Sequence, residues 1–257
     1  MSIPLAAALT AFGLFGGVLL LVEIGRRVGI RRLATDGEGA RAGAGAVEGA
    51  VFGLLGLLIA FTFTGAAARF DARRQLITEE ANDIGTAWLR LDLLPAGAQP
   101  PLRESFRRYL DARLEVYQKL PDLEAAMAAL TRSVALQGEI WTQAVATCRE
   151  GSSPATMLLL PALNQMIDIT TTRTMAGKMH PPFIIFAMLV VLTLVGGLFA
   201  GYGMAGAKQR SWVHMLGFAF VMAAGVYIII DLEYPRLGLI RVQAADQVLV
   251  ELRQSMK

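Results

Sequence analysis

Apolar and charged stretches alternate along the chain, and four of the apolar stretches contain almost no charged residue. They cover residues 3–22, 47–67, 183–204 and 212–230. A helix rises about 1.5 Å per residue, so each stretch is long enough to cross the ~30 Å hydrocarbon core of a bilayer. The pattern therefore predicts four transmembrane helices.

The second apolar stretch runs directly into an amphipathic segment, and no proline interrupts the two before Pro95. We predict one long helix over 47–94, with half of it in the bilayer and half outside. An apolar stripe with a period of about 3.5 residues, typical of a helix packed along other helices, marks the outer half: Ile77, Ala81, Ile84, Trp88 and Leu91. Small residues recur in the apolar half at a spacing that lets another helix approach closely: Gly49, Gly53, Gly56, Ala60, Thr64 and Ala67.

A charged block separates the second and third apolar stretches. Three further helices are predicted there: one begins near Pro101, one is capped by Asp122, and one runs from Pro154 to Lys178. No run of alternating apolar and polar residues is long enough to predict a strand. The predicted fold class is an all-α membrane protein with four transmembrane helices, a helical-bundle insertion between the second and third, and a second span that continues into this bundle.

This pattern predicts three parts of the chain. Residues 1–67 contain the first two spans and their basic loop, and residues 68–182 form an extramembrane four-helix insertion. Residues 183–257 contain the last two spans and a short amphipathic tail at 244–256.

Composition supports the membrane class and argues against several functions. Of the 257 residues 54% are hydrophobic and 18% are charged, compared with about 25% charged in soluble domains. The net charge of +3 comes without the basic run that nucleic-acid binding requires. Cys148 is the only cysteine, and neither His180 nor His214 has a neighbour at metal-ligand spacing. The sequence thus predicts no enzyme, no metal site, no cofactor and no nucleic-acid partner.

The charges also bear on the orientation in the membrane. Four spans place the short loops 23–46 and 205–211 on one side and the insertion on the other, and the first loop alone holds five arginines. Positive residues in short loops favour the cytoplasm, whereas long insertions cross largely regardless of charge. Charge therefore slightly favours a periplasmic insertion in a bacterial inner-membrane protein.

Four stretches of the sequence together carry a resemblance to a known family. They are LIAFTFTGAAARFDARRQL at 58–76, EEANDIGTA at 79–87, LPALNQMID at 160–168 and DLEYPRLGLIRV at 231–242. Together they resemble the uncharacterised bacterial membrane family with a bestrophin-like domain. That family is in turn remotely similar to the bestrophin anion channels.

The resemblance to bestrophins implies a pentamer in which the second span lines an anion pore with an apolar constriction. It gives these pore-lining candidates: Gly53, Gly56, Ile59, Ala60, Phe63 and Thr64. The small residues among them have a second interpretation, which is close packing against another helix. The sequence departs from bestrophins in two ways. They hold the insertion in the cytoplasm, and the acidic cluster of their calcium site has no counterpart here.

A group of arginines follows the second apolar stretch. If several copies of this helix surround an axis, Arg69, Arg73 and Arg74 form a cationic collar that attracts anions. The alternative is that they extend to lipid headgroups or pair with Asp71 and neighbouring acids. Arg74 lies on the apolar stripe, so we predict that it faces protein.

Two further polar groups are candidates. Asp231 and Glu233 end the fourth span, where an acid is either functional or paired with Arg236 or Arg241. A polar patch on the last insertion helix either binds a small polar ligand or forms a buried hydrogen-bond network against the long helix: Asn164, Gln165, Asp168, Thr170, Thr171 and Thr172.

Two function hypotheses remain. The first is a homo-oligomeric ion channel or pore with anion preference. The second is a membrane-anchored scaffold or sensor whose helical insertion binds a ligand or partner without conducting ions.

Overall fold

A computed structural model describes residues 3–36, 44–150, 153–207 and 209–257, and within these ranges the chain forms helices and no strands. The eight α-helices are α1 (Ile3–Asp36), α2 (Ala44–Arg90), α3 (Gln99–Gln118), α4 (Leu123–Glu150), α5 (Ser153–Lys178), α6 (Phe183–Gly203), α7 (Trp212–Glu233) and α8 (Gln247–Ser255). Helices α1, α2, α6 and α7 include the stretches long and apolar enough to cross a membrane. The predictions of an all-helical chain and of four apolar spans are confirmed, and the protein is an integral membrane protein.

Several local signals act as the sequence predicted. α2 is a single 47-residue helix, and the Asp122 carboxylate accepts a hydrogen bond from the Ala125 N–H at 3.1 Å, as an N-cap does. α1 is longer than the predicted stretch 3–22, since it continues to Asp36. Just beyond that stretch, Glu23 pairs with Arg27 at 2.7 Å and with Arg210 at 2.9 Å. The predicted flexible connector at 37–46 lies, up to residue 43, outside the described residues.

The chain divides into two compact units. The first contains residues up to Ala68 together with His180–Tyr234, and the second contains Arg69–Met179 together with Pro235–Lys257. Residues 235–257 thus group with the insertion helices, whereas the division predicted from the sequence placed them with the last two spans.

In the first unit, α1 packs closely along α6 through glycines. A Cβ added to Gly25 would lie 1.9 Å from the Leu198 carbonyl oxygen, and one added to Gly201 would lie 1.9 Å from that of Val22. Only hydrogen fits at these positions, so the two backbones are in direct contact, as small residues allow between membrane helices.

In the second unit, the core forms around the outer half of α2. All five residues of the predicted apolar stripe are buried, together with Leu102 and Phe106 of α3, Ile140 of α4 and Leu163 of α5. The chain's last residues also contribute, since Leu249 and Met256 are buried in the same cluster.

The glycine contact gives the first prediction. Gly201→Ala should lower the free energy of unfolding by about 2 kcal/mol or more, because the new methyl group meets a backbone carbonyl that cannot move aside. Thermal unfolding in detergent measures the change.

Gly225→Ala is the matched control, because no atom lies within 4 Å of the position its Cβ would take. We expect it to leave the free energy of unfolding unchanged or to raise it by up to about 1 kcal/mol, because alanine favours a helix more than glycine does. Equal unfolding midpoints for the two variants would contradict the tight contact.

Candidate functional site

The pore-lining candidates of α2 mostly lie on an open side of the helix. Ala60, Phe63 and Thr64 are exposed and Ile59 is half-buried. No atom lies within 4 Å of a Cβ added to Gly53 or Gly56. Only 11% of the residues in the most apolar stretch of α2 are buried, compared with 33% in α7. Within the described residues, this side of α2 therefore does not pack on the chain's other spans.

Two threonines of this stretch behave differently. The Thr62 hydroxyl donates to the Leu58 carbonyl oxygen at 2.7 Å, as hydroxyls in membrane helices often do. Among the described residues the exposed Thr64 hydroxyl has no such partner. A hydroxyl without a partner is costly in hydrocarbon, so this side of α2 suits water or a polar neighbour better than acyl chains.

The buried side of α2 follows the helical repeat. Arg73, Ile77, Glu80 and Ile84 are buried at spacings of four, three and four, which places them on one face. Arg74 is one residue further round the helix and its side chain is 55% exposed. The prediction that Arg74 faces protein is therefore wrong for the single chain, because the buried face includes Arg73.

Arg73 has a defined structural role. Its Nε donates to the Ala176 carbonyl oxygen at 3.1 Å and its Nη2 to that of Met179 at 2.8 Å. These carbonyls lie at the C-terminal end of α5, where a helix leaves its last acceptors unpaired and favours a positive charge. Arg73 thus stabilises the end of α5.

The predicted collar therefore divides into three different environments. Arg73 is buried, Arg69 is half-buried and Arg74 is exposed. The Arg74 Nη1 lies 3.4 Å from the Asp71 Oδ1, and the Asp71 side chain is 63% exposed. Arg74 and Asp71 form the exposed charged pair that follows the apolar half of α2.

Sequence reasoning missed a cluster of buried charges in the second unit. Glu80 is fully buried and accepts hydrogen bonds from two arginines, from Arg113 Nε at 2.5 Å and from Arg173 Nη1. Burial acts to raise the pKa of the Glu80 carboxyl, but Arg113 and Arg173 outweigh it and hold the pKa below its usual value. The sequence did contain a signal for this cluster, because Glu80 falls on the same face of the helix as the apolar stripe.

The cluster extends to the end of the chain. Arg173 Nη2 donates to Asp246 Oδ1 at 3.0 Å, and Arg236 Nη1 donates to Asp246 Oδ2 at 2.7 Å. The Tyr117 ring contacts both of these arginines, with its centroid 4.0 Å and 4.1 Å from their guanidinium carbons. These contacts join the segment after α7 to α2, α3 and α5.

The polar patch of α5 is mostly a solvated surface. Thr170 alone of the predicted set is buried, and its hydroxyl lies 3.0 Å from Tyr109 Oη and 2.9 Å from Gln137 Nε2. Burial, with the nearby Glu80 carboxylate, raises the pKa of Tyr109 to about 12. The predicted buried network is thus correct for Thr170, but its partners lie on α3 and α4. The other members are exposed: Asn164, Gln165, Asp168, Thr171 and Thr172.

The two acids at the end of α7 are both buried. Glu233 Oε2 lies 3.5 Å from His180 Nδ1. In the second unit Arg236 pairs with Asp246, and Arg241 Nε donates to the Gly238 carbonyl oxygen at 2.8 Å. The pairing of Asp231 and Glu233 with these arginines stays a prediction.

In the described parts of the chain, no group of three or more His, Cys, Asp or Glu side chains is arranged to hold a metal ion. The acids Asp71, Glu80 and Asp246 are instead paired with arginines.

The burial of Arg73 and the exposure of Arg74 generate a prediction. Arg73→Ala should lower the free energy of unfolding by about 1.5–3 kcal/mol, because two carbonyl oxygens lose a charged donor. Arg74→Ala should change it by less than about 1 kcal/mol, since an exposed pair contributes little. Denaturant unfolding of both variants tests this, and a larger loss for Arg74→Ala would contradict it.

The buried carboxylate of Glu80 generates another prediction. Glu80→Gln should destabilise the protein by about 3–5 kcal/mol at neutral pH, because two buried arginines lose their counter-charge. Since the folded pKa of Glu80 is depressed, its stabilisation is present above the usual value of 4.5 and is lost as the pH falls through the folded pKa. The difference between wild type and variant should therefore shrink in acid.

Glu79→Gln is the matched control, because Glu79 is adjacent and exposed. It should leave the unfolding free energy nearly unchanged at both pH values. A difference between wild type and Glu80→Gln that stays constant down to pH 3 would refute the role given to the Glu80 charge.

Comparisons with known proteins agree with this architecture. A family model described as the bestrophin-like domain matches residues 12–247. Crystal structures of point variants of a bacterial bestrophin homologue from Klebsiella pneumoniae are similar in fold. One has a TM-score of 0.69 at 12% identity, with 96% of this chain and 99% of that chain covered. A second has a TM-score of 0.69 at 13% identity, with 94% and 98% covered. No curated protein matches the chain significantly.

Proposed function

Since this chain belongs to the bestrophin-like family, we propose that it forms a homo-oligomeric ion channel in which α2 of each copy lines the pore. The single observation that supports this most is the open side of α2, where small residues and the Thr64 hydroxyl are exposed within the apolar stretch. By the resemblance to bestrophins, the assembly is a pentamer in the bacterial inner membrane.

Self-association follows from how little of α2 is buried. A membrane helix gains stability from close packing with other helices, and Gly53 and Gly56 offer backbone surface that the chain's own spans leave open. Copies of α2 arranged around an axis would cover this surface. The two interpretations of the small residues then both apply, with some facing the neighbouring copy and others the pore.

The apolar candidates suit a constriction. Phe63 is 46% exposed and Ile59 is half-buried, so a ring of Phe63 side chains would narrow the path and Ile59 would support it. Apolar rings of this kind gate a pore by excluding water. Thr64 follows directly and provides a polar ring.

Charge preference is proposed to depend on Arg74 and Asp71. Arg73 donates to two carbonyl oxygens in the second unit, so the anion-attracting collar first proposed for three arginines reduces mainly to Arg74. Asp71 lies beside it with the opposite charge. Anion preference then requires that the positive charge of Arg74 affects permeating ions more than the negative charge of Asp71 does. Removing the Asp71 charge would increase the preference for anions.

The function is tested by ion flux in proteoliposomes that contain the purified protein. Wild type should dissipate an imposed ion gradient, and Gly53→Trp should abolish the flux, because a ring of indoles fills a narrow pore. Leu54→Trp is the matched control, since Leu54 is 51% exposed but points about 100° away around the helix. A correctly assembled wild type that passes no ions would favour the scaffold or sensor alternative.

Charge selectivity is tested by reversal potentials under a KCl gradient. Asp71→Asn should shift the potential toward that of chloride and Arg74→Gln toward that of potassium, each because one partner of the pair is left alone. Identical reversal potentials in wild type and both variants would refute the assignment of selectivity to this pair.

A further inference from the structure

A polar groove in the second unit lies beside the Asp71–Arg74 pair. It has a volume of about 660 Å³ and lies between the outer half of α2 and the segment that ends in α8. Its polar lining residues are Asp71, Arg74, Gln75 and Thr78 of α2 with Gln247 and Glu251 of α8. The pair proposed to determine charge preference is therefore part of one wall of the groove, and α8 is part of the other.

The burial of Leu249 determines which side of α8 lines the groove. Leu249 belongs to the core of the second unit and is fully buried. Glu251 is two positions further along, and two positions on a helix correspond to a rotation of about 200°. The Glu251 side chain is therefore turned away from the core, and it is exposed. Gln247, two positions before Leu249, is exposed for the same reason.

Ion pairs hold α8 on both sides of Glu251. Near the end of the helix, Arg253 donates to both carboxylate oxygens of Asp111, at 2.7 Å and 3.0 Å. Directly before the helix, Asp246 pairs with Arg173 at 3.0 Å. The backbone of Glu251 thus has a defined position beside α2.

The charged residues that line the groove sum to one negative charge per copy. Asp71 and Arg74 have opposite charges and lie 3.4 Å apart. Glu251 is the remaining charged residue of the lining, and it forms no ion pair in the part of the chain that the structure describes. A volume of this size spans on the order of 10 Å, which is about the Debye length at 0.1 M salt. The Glu251 charge therefore acts on an ion anywhere in the groove.

We propose that Glu251 is a further selectivity-determining residue of the channel, an inference that rests on the proposed function. Ions that pass Asp71 and Arg74 enter the groove, where the Glu251 carboxylate attracts cations and repels anions. Rings of acidic side chains act in this way in cation channels. Glu251 therefore lowers the anion preference that Arg74 creates.

Reversal potentials under a KCl gradient test the proposal on the purified full chain in planar bilayers. Glu251→Gln should raise the chloride-to-potassium permeability ratio by about twofold or more, because the groove loses its net negative charge. Gln247→Glu should lower the ratio, because it adds a second carboxylate to the same wall. Both side chains are exposed, so neither change disturbs the core.

A matched control and the salt concentration show whether the effect is electrostatic and local. Glu124 is an exposed acid in the first turn of α4 that does not line the groove, so Glu124→Gln should leave the permeability ratio unchanged. The effect of Glu251→Gln should shrink between about 0.1 M and 1 M KCl, because the Debye length falls from about 10 Å to about 3 Å. An equal effect at both concentrations would overturn the electrostatic role.

The outcomes separate this inference from the proposed function. A wild type that passes no ions overturns both. A wild type that conducts, with the same permeability ratio in Glu251→Gln and Gln247→Glu, overturns only the role of Glu251. An equal shift in Glu124→Gln would also overturn that role, because the effect would then not belong to the groove.

Discussion

The pairing of the buried Glu80 carboxylate with two arginines is the interaction on which the second unit depends. Removing a carboxylate from water is costly, and the cost is offset only when its oxygens are paired and hydrogen-bonded. Arg113 from α3 and Arg173 from α5 supply these bonds to Glu80 of α2. Because the ionic geometry is demanding, three helices are held in one register, in addition to the less specific packing of their apolar faces.

The same constraint extends to the end of the chain. Arg173 binds Glu80 with one nitrogen and Asp246 with another, and Arg236 completes the pairing of Asp246. The segment after the last span is therefore part of the insertion's core, with Leu249 and Met256 buried beside the helices. The short amphipathic tail at 244–256 therefore contributes both an ion pair and buried apolar side chains to the second unit.

The rotational setting of α2 follows from its buried face. Once Ile77, Glu80 and Ile84 are buried, the helical repeat determines which residues remain outside. Arg73 falls on the buried face and stabilises the end of α5. Asp71 and Arg74 fall outside it, which is why the proposed charge selectivity concerns this pair and not a ring of three arginines.

Local patterns were sufficient for much of this description. Apolar length predicted the four spans, the uninterrupted stretch before Pro95 predicted the long α2, and the stripe from Ile77 to Leu91 predicted which of its residues are buried. The quoted strings at 58–87, 160–168 and 231–242 were enough to indicate the family. These features lie within one helix or one short segment, where spacing alone fixes the face of each residue.

The tertiary structure decided what depends on partners that are distant along the chain. Glu80 finds Arg113 and Arg173, which are 33 and 93 residues away, and no local pattern specifies such a pair. A period of 3.5 residues also could not determine whether Arg73 or Arg74 is buried, because adjacent arginines differ by only about 100° around a helix. The burial of Glu80 beside Ile77 and Ile84 decides it, because it puts Arg73 on the buried face, where the folded chain brings the carbonyl groups at the end of α5 within its reach.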